Sequence, residues 1–219
     1  MEKKIFPASS DNYTKGRKES VKFIVLHYTA NDGDTAKGNC KYFATLGRNA
    51  SAHYFVDENG VYQSVADGDT AWSVGASSYI HRVCRNNNSI SVEMCSKKDL
   101  TGNYYIKEKT VSNAVELVKE LMKKHHVTIA NVLRHYDVTG KKCPEPFVRD
   151  IAQWTEFKRR LEAEEMDKVD VKINVNGVTK AIKGFNVEGT NYVTIRDLCG
   201  LLGVQVNYDS ISKTVVLSK

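Results

Sequence analysis

Residues 22–29, Lys-Phe-Ile-Val-Leu-His-Tyr-Thr, form an apolar, β-rich run. Such a run reads as a buried strand, and a buried strand obliges the rest of the chain to build layers around it. The following segments suit that task. Residues 36–46 (AKGNCKYFATL) suit a helix. Residues 51–65 (SAHYFVDENGVYQSV) read as a hairpin, two alternating runs around Asp57-Glu58-Asn59-Gly60, where Asn-Gly supplies the turn. Residues 88–95 (NSISVEMC) are another strand. Residues 110–126 are a strongly amphipathic helix, with Val111, Val115, Leu117, Val118, Leu121 and Met122 on its apolar side. NVLRHYD begins with a short strand that delivers His135 into a loop, and residues 147–165 read as one last helix. Strands interleaved with helices predict an α/β fold, a mixed central β-sheet flanked by helices.

The pattern changes after Glu165. LEAEEMDKVD is highly charged and poor in apolar residues, as a linker is. Beyond it, residues 169–187 alternate and are broken by glycines, a β pattern. Residues 193–204 suit one short helix, and the last stretch reads as two strands with a turn at Asp209-Ser210. The expected organisation is a domain over 1–160, a linker over 161–167 and a small α+β domain over 168–219. The second domain is of marginal size for folding alone.

Several classes of function are disfavoured by the bulk sequence. No apolar run approaches the length of a membrane span. The first twenty residues are polar after their start and lack the apolar stretch of a secretory signal. That places the chain in a cytoplasm unless another route releases it. Five cysteines, an odd number without regular spacing, read as thiols and not as a disulfide framework. The net charge of +6 suits an anionic partner, but the lysines form no single stripe and no nucleic-acid motif is present, so nucleic acid is not expected.

The chemistry-bearing residues gather around three short stretches. His27 ends the first strand, His135 follows a later one, and Cys143 comes eight residues after His135, beside Pro144 and Pro146. Two imidazoles and a thiolate make a three-ligand zinc set with an open fourth position, the catalytic pattern. The alternative is a surface histidine, a packed histidine and a loop cysteine. Glu93 is a carboxylate on a strand of otherwise apolar and small residues: either a solvent-facing strand end or a general base whose pKa burial raises. Lys141, two residues before Cys143, is either surface charge or an oxyanion-stabilising cation. Trp72 either lines a substrate groove or fills the core.

Five stretches, HYTA at 27, SAHYFVDENG at 51, TAWSVG at 70, NNNSISVEMC at 86 and RHYDVTGKKCP at 134, occur in the order and approximate spacing of the type 2 zinc N-acetylmuramoyl-L-alanine amidases. That family includes phage endolysins, bacterial autolysins and animal peptidoglycan recognition proteins. The chain resembles it over residues 20–160. The resemblance implies that His27, His135 and Cys143 hold Zn2+, that Glu93 is the base and Lys141 the oxyanion cation, and that Trp72 contacts substrate. The implied substrate is peptidoglycan, cut between N-acetylmuramic acid and the L-alanine of the stem peptide. Some phage members carry a catalytic Tyr immediately before the hairpin histidine. Here that position is Ala52, and Tyr54 follows His53 on the opposite face of the strand, which favours Glu93. His53 is expected to pack or hydrogen-bond near the site. His81, His125, His126 and Lys142 are expected at the periphery, and Cys40, Cys84, Cys95 and Cys199 as small apolar residues.

The tail, through YVTIRDL, LLGVQVNYD and KTVVL, resembles the small stalk-like domain named after the N-terminal domain of copper amine oxidase. With no histidine there, no copper is implied. The resemblance implies binding to a Gram-positive wall or pairing with a copy of itself, the alternative being a passive spacer. Together these features suggest a phage or prophage endolysin of a clostridial-type host, released by a holin. A host autolysin and a non-catalytic peptidoglycan-binding protein are the rivals, and the presence of Cys143 disfavours the second. Met166, at the end of the linker, is either an ordinary methionine or an internal start yielding a free C-terminal fragment.

Overall fold

The computed structural model describes residues 3–163, 167–187 and 189–218. Met166 lies outside them. The chain divides into two compact units, 1–163 and 164–219.

The first unit runs β1 (Lys3–Ile5), β2 (Tyr13–Thr14), β3 (Phe23–Tyr28), α1 (Ala36–Phe43), β4 (Tyr54–Asp57), β5 (Gly60–Gln63), β6 (Thr70–Ala71), β7 (Ser89–Met94), β8 (Lys97–Lys98), β9 (Tyr104–Tyr105), α2 (Glu108–His125), β10 (Val132–Arg134), α3 (His135–Thr139), α4 (Glu145–Arg149) and α5 (Ile151–Glu162). Six strands form one sheet in the order β1-β5-β4-β7-β3-β10. The β4–β5 hairpin is antiparallel, and the other pairings are parallel, so the sheet is mixed as expected.

β3 is buried on both faces because both are covered. Ile24 and Leu26 face a core of Leu117, Val118 and Leu121 from α2 and Phe157 and Leu161 from α5. Phe23 and Val25 face Val74, Cys84 and Val138 on the other side. On that second side α1 also packs, with Ala36 and Cys40 against Phe55 and Cys95. Burying one aliphatic side chain in such a core contributes about 1.5–3 kcal/mol, which is why the apolar runs dominate where the strands lie.

Four sequence expectations are corrected. The helix expected over 147–165 is two helices, because the Asp150 backbone is extended and its carboxylate caps the second by accepting from Ala152 N. That second helix reaches Glu162 with Leu161 buried, so it runs into the stretch read as linker. The helix expected over 36–46 stops at Phe43. His135 is not in a loop but opens α3: the Asp137 carboxylate accepts from Arg134 N at 2.8 Å and supplies an N-terminal cap, while Gly140, at φ +82°, ends the helix in the left-handed conformation.

In the second unit β11 (Asp167–Val175), β12 (Val178–Val187) and β13 (Thr190–Val193) form a three-stranded antiparallel sheet. Helix α6 (Ile195–Leu202) follows, capped by Thr194 Oγ1, which accepts from Asp197 N. β14 (Gln205–Asp209) and β15 (Thr214–Ser218) close the chain as a separate hairpin. A side chain at Gly184 would press on the Tyr192 carbonyl at 2.5 Å, so the sheet requires glycine there.

Candidate metal centre and groove

The register of three strands builds the site. β3 and β7 pair His27 with Glu93, and β4 and β7 pair Phe55 with Glu93. β10 and β3 pair Arg134 with Leu26, so His135, one residue on, falls beside His27. Four side chains therefore form one row across the sheet, on the face away from the α2 core, because strand side chains alternate.

Cys143 joins this row through a short return of the chain. Tyr136 N donates to Cys143 O at 2.8 Å, which folds residues 140–143 back over the start of α3. Arg134 pins the same segment: its guanidinium forks onto Asp137 and donates from Nη1 to Phe147 O at 2.9 Å. Donor atoms of His27, His135 and Cys143 lie within 4.8 Å of one another, and all three residues are buried. Cys143 Sγ is 3.7 Å from His27 Nδ1. Two donors bonded to one tetrahedral ion at about 2.3 Å and about 2.1 Å would be roughly 3.6 Å apart.

The donor set fits a metal ion on other grounds too. His135 Nδ1 is buried without a protein hydrogen-bond partner among the described residues, whereas buried polar atoms are normally paired. Burial first, then the neighbouring cations, holds His27 well below the usual imidazole range and His135 at about 4. Both rings are therefore neutral, as ligands must be. Burial raises the Cys143 thiol, with Glu93 adding to the shift. A divalent cation would favour the thiolate.

Glu93 stands beside this cluster. Its Oε1 is 3.8 Å from His27 Nδ1, and its Oε2 is buried without a partner among the described residues. Burial pushes its pKa up to about 8, with Lys141 pulling down and Asp34 pushing up. Lys141 is exposed and close enough to depress both imidazoles. It lines a groove of about 590 Å³ together with Trp72, Ser73, Ser78, His135 and Thr139. Trp72 is half-buried, and its indole N–H donates to Thr14 Oγ1 at 3.0 Å. Glu93 borders a second hollow of about 530 Å³ with Asp34, Asn39, Tyr42 and Phe43. The structure thus brings His27, His135, Cys143 and Glu93 together, with Lys141 and Trp72 on the groove beside them.

The remaining candidates fall elsewhere. Tyr54 points into the α2 core and its hydroxyl donates to Asp67 at 2.5 Å. His53 is buried between Ser91 Oγ at 3.0 Å and the Arg17 guanidinium at 2.5 Å, and burial with that cation lowers it to about 3. His125 pairs with Asp67 at 2.9 Å, behind the sheet. Cys40, Cys84, Cys95 and Cys199 are buried free thiols.

Sequence reading did not single out Arg17, Arg134, Asp137 or Asn86. Asn86 Oδ1 accepts from Ser73 N and Val74 N at 3.1 and 2.8 Å and so holds the groove wall. Asp137 was discoverable, since a carboxylate three residues into a helix start is a capping signal. Arg17 meets His53 only through the tertiary fold.

Comparison with known proteins agrees with the fold. The model of the family described as Amidase_2, N-acetylmuramoyl-L-alanine amidase, matches residues 17–146. A protein of Bacillus licheniformis named CwlL, an N-acetylmuramoyl-L-alanine amidase, is 38% identical over 152 residues, covering 65% of this chain and 41% of CwlL. The chain thus spans about two fifths of that relative's length. The structure of PlyL matches with a TM-score of 0.62 at 27% identity, covering 74% of this chain and 98% of that one. The catalytic domain of XlyA matches with a TM-score of 0.60 at 26% identity, covering 74% and 99%.

Proposed function

Because this chain belongs to the Amidase_2 family of N-acetylmuramoyl-L-alanine amidases, we propose that it hydrolyses peptidoglycan. The bond is the amide joining the lactyl group of N-acetylmuramic acid to the L-alanine of the stem peptide. The observation behind this reading is the convergence of His27, His135 and Cys143 beside a buried carboxylate at the edge of a groove. In this reading those three residues hold zinc. When bound, zinc lowers the pKa of a water to about 7 and polarises a carbonyl.

The chain's own groups do the rest. Glu93 accepts a proton from the attacking water and returns it to the leaving amine. A cation at the centre would bring its carboxyl down from about 8, so that it starts as the base. Lys141 donates to the oxygen that gains charge as the carbonyl carbon becomes tetrahedral. Trp72 presents ring area to the substrate along the groove. Residues 1–163 are the catalytic domain in this reading, and the C-terminal domain serves attachment to the wall or to another copy, as its stalk-like resemblance implies.

An endolysin of a Gram-positive host is the preferred setting, supported by similarity to an endolysin from Bacillus subtilis at 27% identity and a TM-score of 0.61. Release to the wall then depends on a holin. Among the described residues no helix is long and apolar enough to cross a membrane.

The test is mass spectrometry of digested cell walls, paired with zinc analysis of the protein. The expected products are stem peptides with newly freed N-terminal alanine and intact glycan strands. New reducing sugar ends, or cuts within the stem peptide, would overturn the assigned bond.

A further inference from the structure

One charged group has no part in the proposed chemistry, yet it joins three segments of the site's frame. Arg17 precedes β3 and is half-buried. The turn that delivers it is fixed from β6 and the loop before it. Gly16, at φ +80°, donates from N to Asp69 Oδ1 at 2.7 Å, and its carbonyl accepts from Thr70 Oγ1 at 2.8 Å. The guanidinium then spreads. Nε donates to Asp67 O at 2.5 Å, Nη1 to Asn86 O and Asn87 O at 3.4 and 3.3 Å, and Nη2 to His53 Nε2 at 2.5 Å. Two of these contacts lead to the site. Asn86 holds Ser73 and Val74 in the groove wall. His53 continues the β4–β7 register one residue before Tyr54 and so falls opposite Ser91, as Phe55 falls opposite Glu93. Ser91 and Glu93 share one face of β7.

The hydrogen bonds of His53 decide what the contact does. The ring is 1% exposed, and burial, followed by Arg17, lowers its pKa to about 3, so it is neutral. A neutral imidazole has one acceptor nitrogen and one N–H. Donors face both nitrogens: Arg17 Nη2 at Nε2, and Ser91 N at 3.0 Å from Nδ1. The guanidinium is charged and closer, so it takes the lone pair. The proton therefore sits on Nδ1. Nδ1–H donates to Ser91 Oγ at 3.0 Å, and the same oxygen accepts from His53 N at 3.1 Å. Without the guanidinium the ring has the opposite choice. Nδ1 would accept from Ser91 N, and Nε2–H would donate to Asp69 O, which lies 3.3 Å away. Both forms occupy the same space, so Arg17 selects between two clamps on the strand that carries Glu93.

We propose that Arg17 is a positioning residue: it sets His53 in the Nδ1–H form and, through Ser91 and the Asn86 turn, aligns Glu93 with the groove wall. It is assigned no contact with substrate or metal. The part played in catalysis rests on the amidase reading; the state of the ring does not.

Two readouts on the zinc-loaded full chain test it. Long-range 1H–15N correlation spectra show which ring nitrogen carries the proton, and hydrolysis of a muramoyl peptide gives kcat and KM. Arg17→Met should move the His53 proton from Nδ1 to Nε2. It should also lower kcat about tenfold to a hundredfold, the scale of a misplacement of about 1 Å, with the smaller change in KM. Arg17→Lys keeps a charged donor for Nε2 and should retain the Nδ1 proton and recover part of kcat. Lys18→Met, at an exposed neighbour, should change neither readout. A proton on Nε2 in the wild-type chain overturns the proposal without any variant, so unfolding of Arg17→Met would not shield it. An unmoved proton in a folded Arg17→Met protein overturns it as well, as does a moved proton with unchanged kcat. A loss confined to KM would make Arg17 a support of the wall alone and refute the alignment of Glu93. Failure of the amidase reading looks different: the wild-type chain would free no N-terminal alanine while the ring still responds to Arg17, which overturns the role in catalysis and upholds the ring assignment.

Discussion

The two units are made of the same kinds of residue and use them differently. In the first, aliphatic residues on β3, β7 and α2 reach full burial, and Ile24, Leu26, Ile90, Val92, Leu117 and Leu121 are 0–1% exposed. In the second, alternation is just as regular along β11 and β14, yet the apolar positions are only partly buried. Alternation alone makes a strand; a second layer makes an interior. The first unit has helices on one face of its sheet and α1, α3 and connecting segments on the other. That double cover holds buried ionisable groups in fixed positions, and all the proposed chemistry lies there.

The sharpest way to break this contrast is to remove a ligand. Cys143→Ser should reduce wall hydrolysis to background and release zinc, and leave sedimentation of the chain unchanged. Full activity without bound metal would separate the cluster from the reaction. Next, Glu93→Ala and Lys141→Ala should each lower turnover by about two to four orders of magnitude while zinc content and wall binding persist. Near-normal turnover for Glu93→Ala would move the base elsewhere.

Stability should show the same asymmetry. Leu117→Ala, in the α2 core, is expected to destabilise the first unit by about 2–5 kcal/mol, measured by denaturant unfolding. Val178→Thr, at a position 59% exposed in the second unit, should change stability by less than about 0.5 kcal/mol. Equal losses at the two positions would erase the distinction between the units.

Acid should act on one unit first. All six histidines lie in residues 1–163. His53 is held at about 3 by burial and by Arg17, below the ordinary imidazole value of 6.5. A group with a lowered folded pKa favours unfolding once the unfolded chain binds its proton. The first unit should therefore lose stability as pH falls from about 6.5 towards about 3. Glu93 opposes this in the metal-free protein between about 8 and the ordinary carboxylate range, so the loss steepens below that range. His53→Asn should flatten the slope in urea titrations followed at several pH values.

Most of the first unit was legible because its signals are local. The apolar run at β3 and the helical stripe of α2 need no distant partner to be recognised. The division at Asp150 and the helix at His135 were not, because each depends on a carboxylate cap chosen in competition with a longer helix or a loop. The three-donor cluster could be listed from residue types, but residue types alone left a scattered pair of histidines and a loop cysteine equally open. Five motifs in a familiar order favoured the three-ligand reading. Arg17 carried no signal, since its contact with His53 spans 36 positions and exists only once the strands are in register.

The pairing of His27 with Glu93 across β3 and β7 also works as an error check on assembly. Were both strands to slip by one residue relative to the layers around them, Leu26 and Val92 would face the groove and an imidazole and a carboxylate would enter the α2 core. The misfolded molecule would forfeit apolar burial and strand two polar groups in oil. A catalytically scrambled arrangement is therefore also the one least able to persist. Selection for a dry interior proofreads the alignment of the groups proposed to react, with no separate device needed to inspect it.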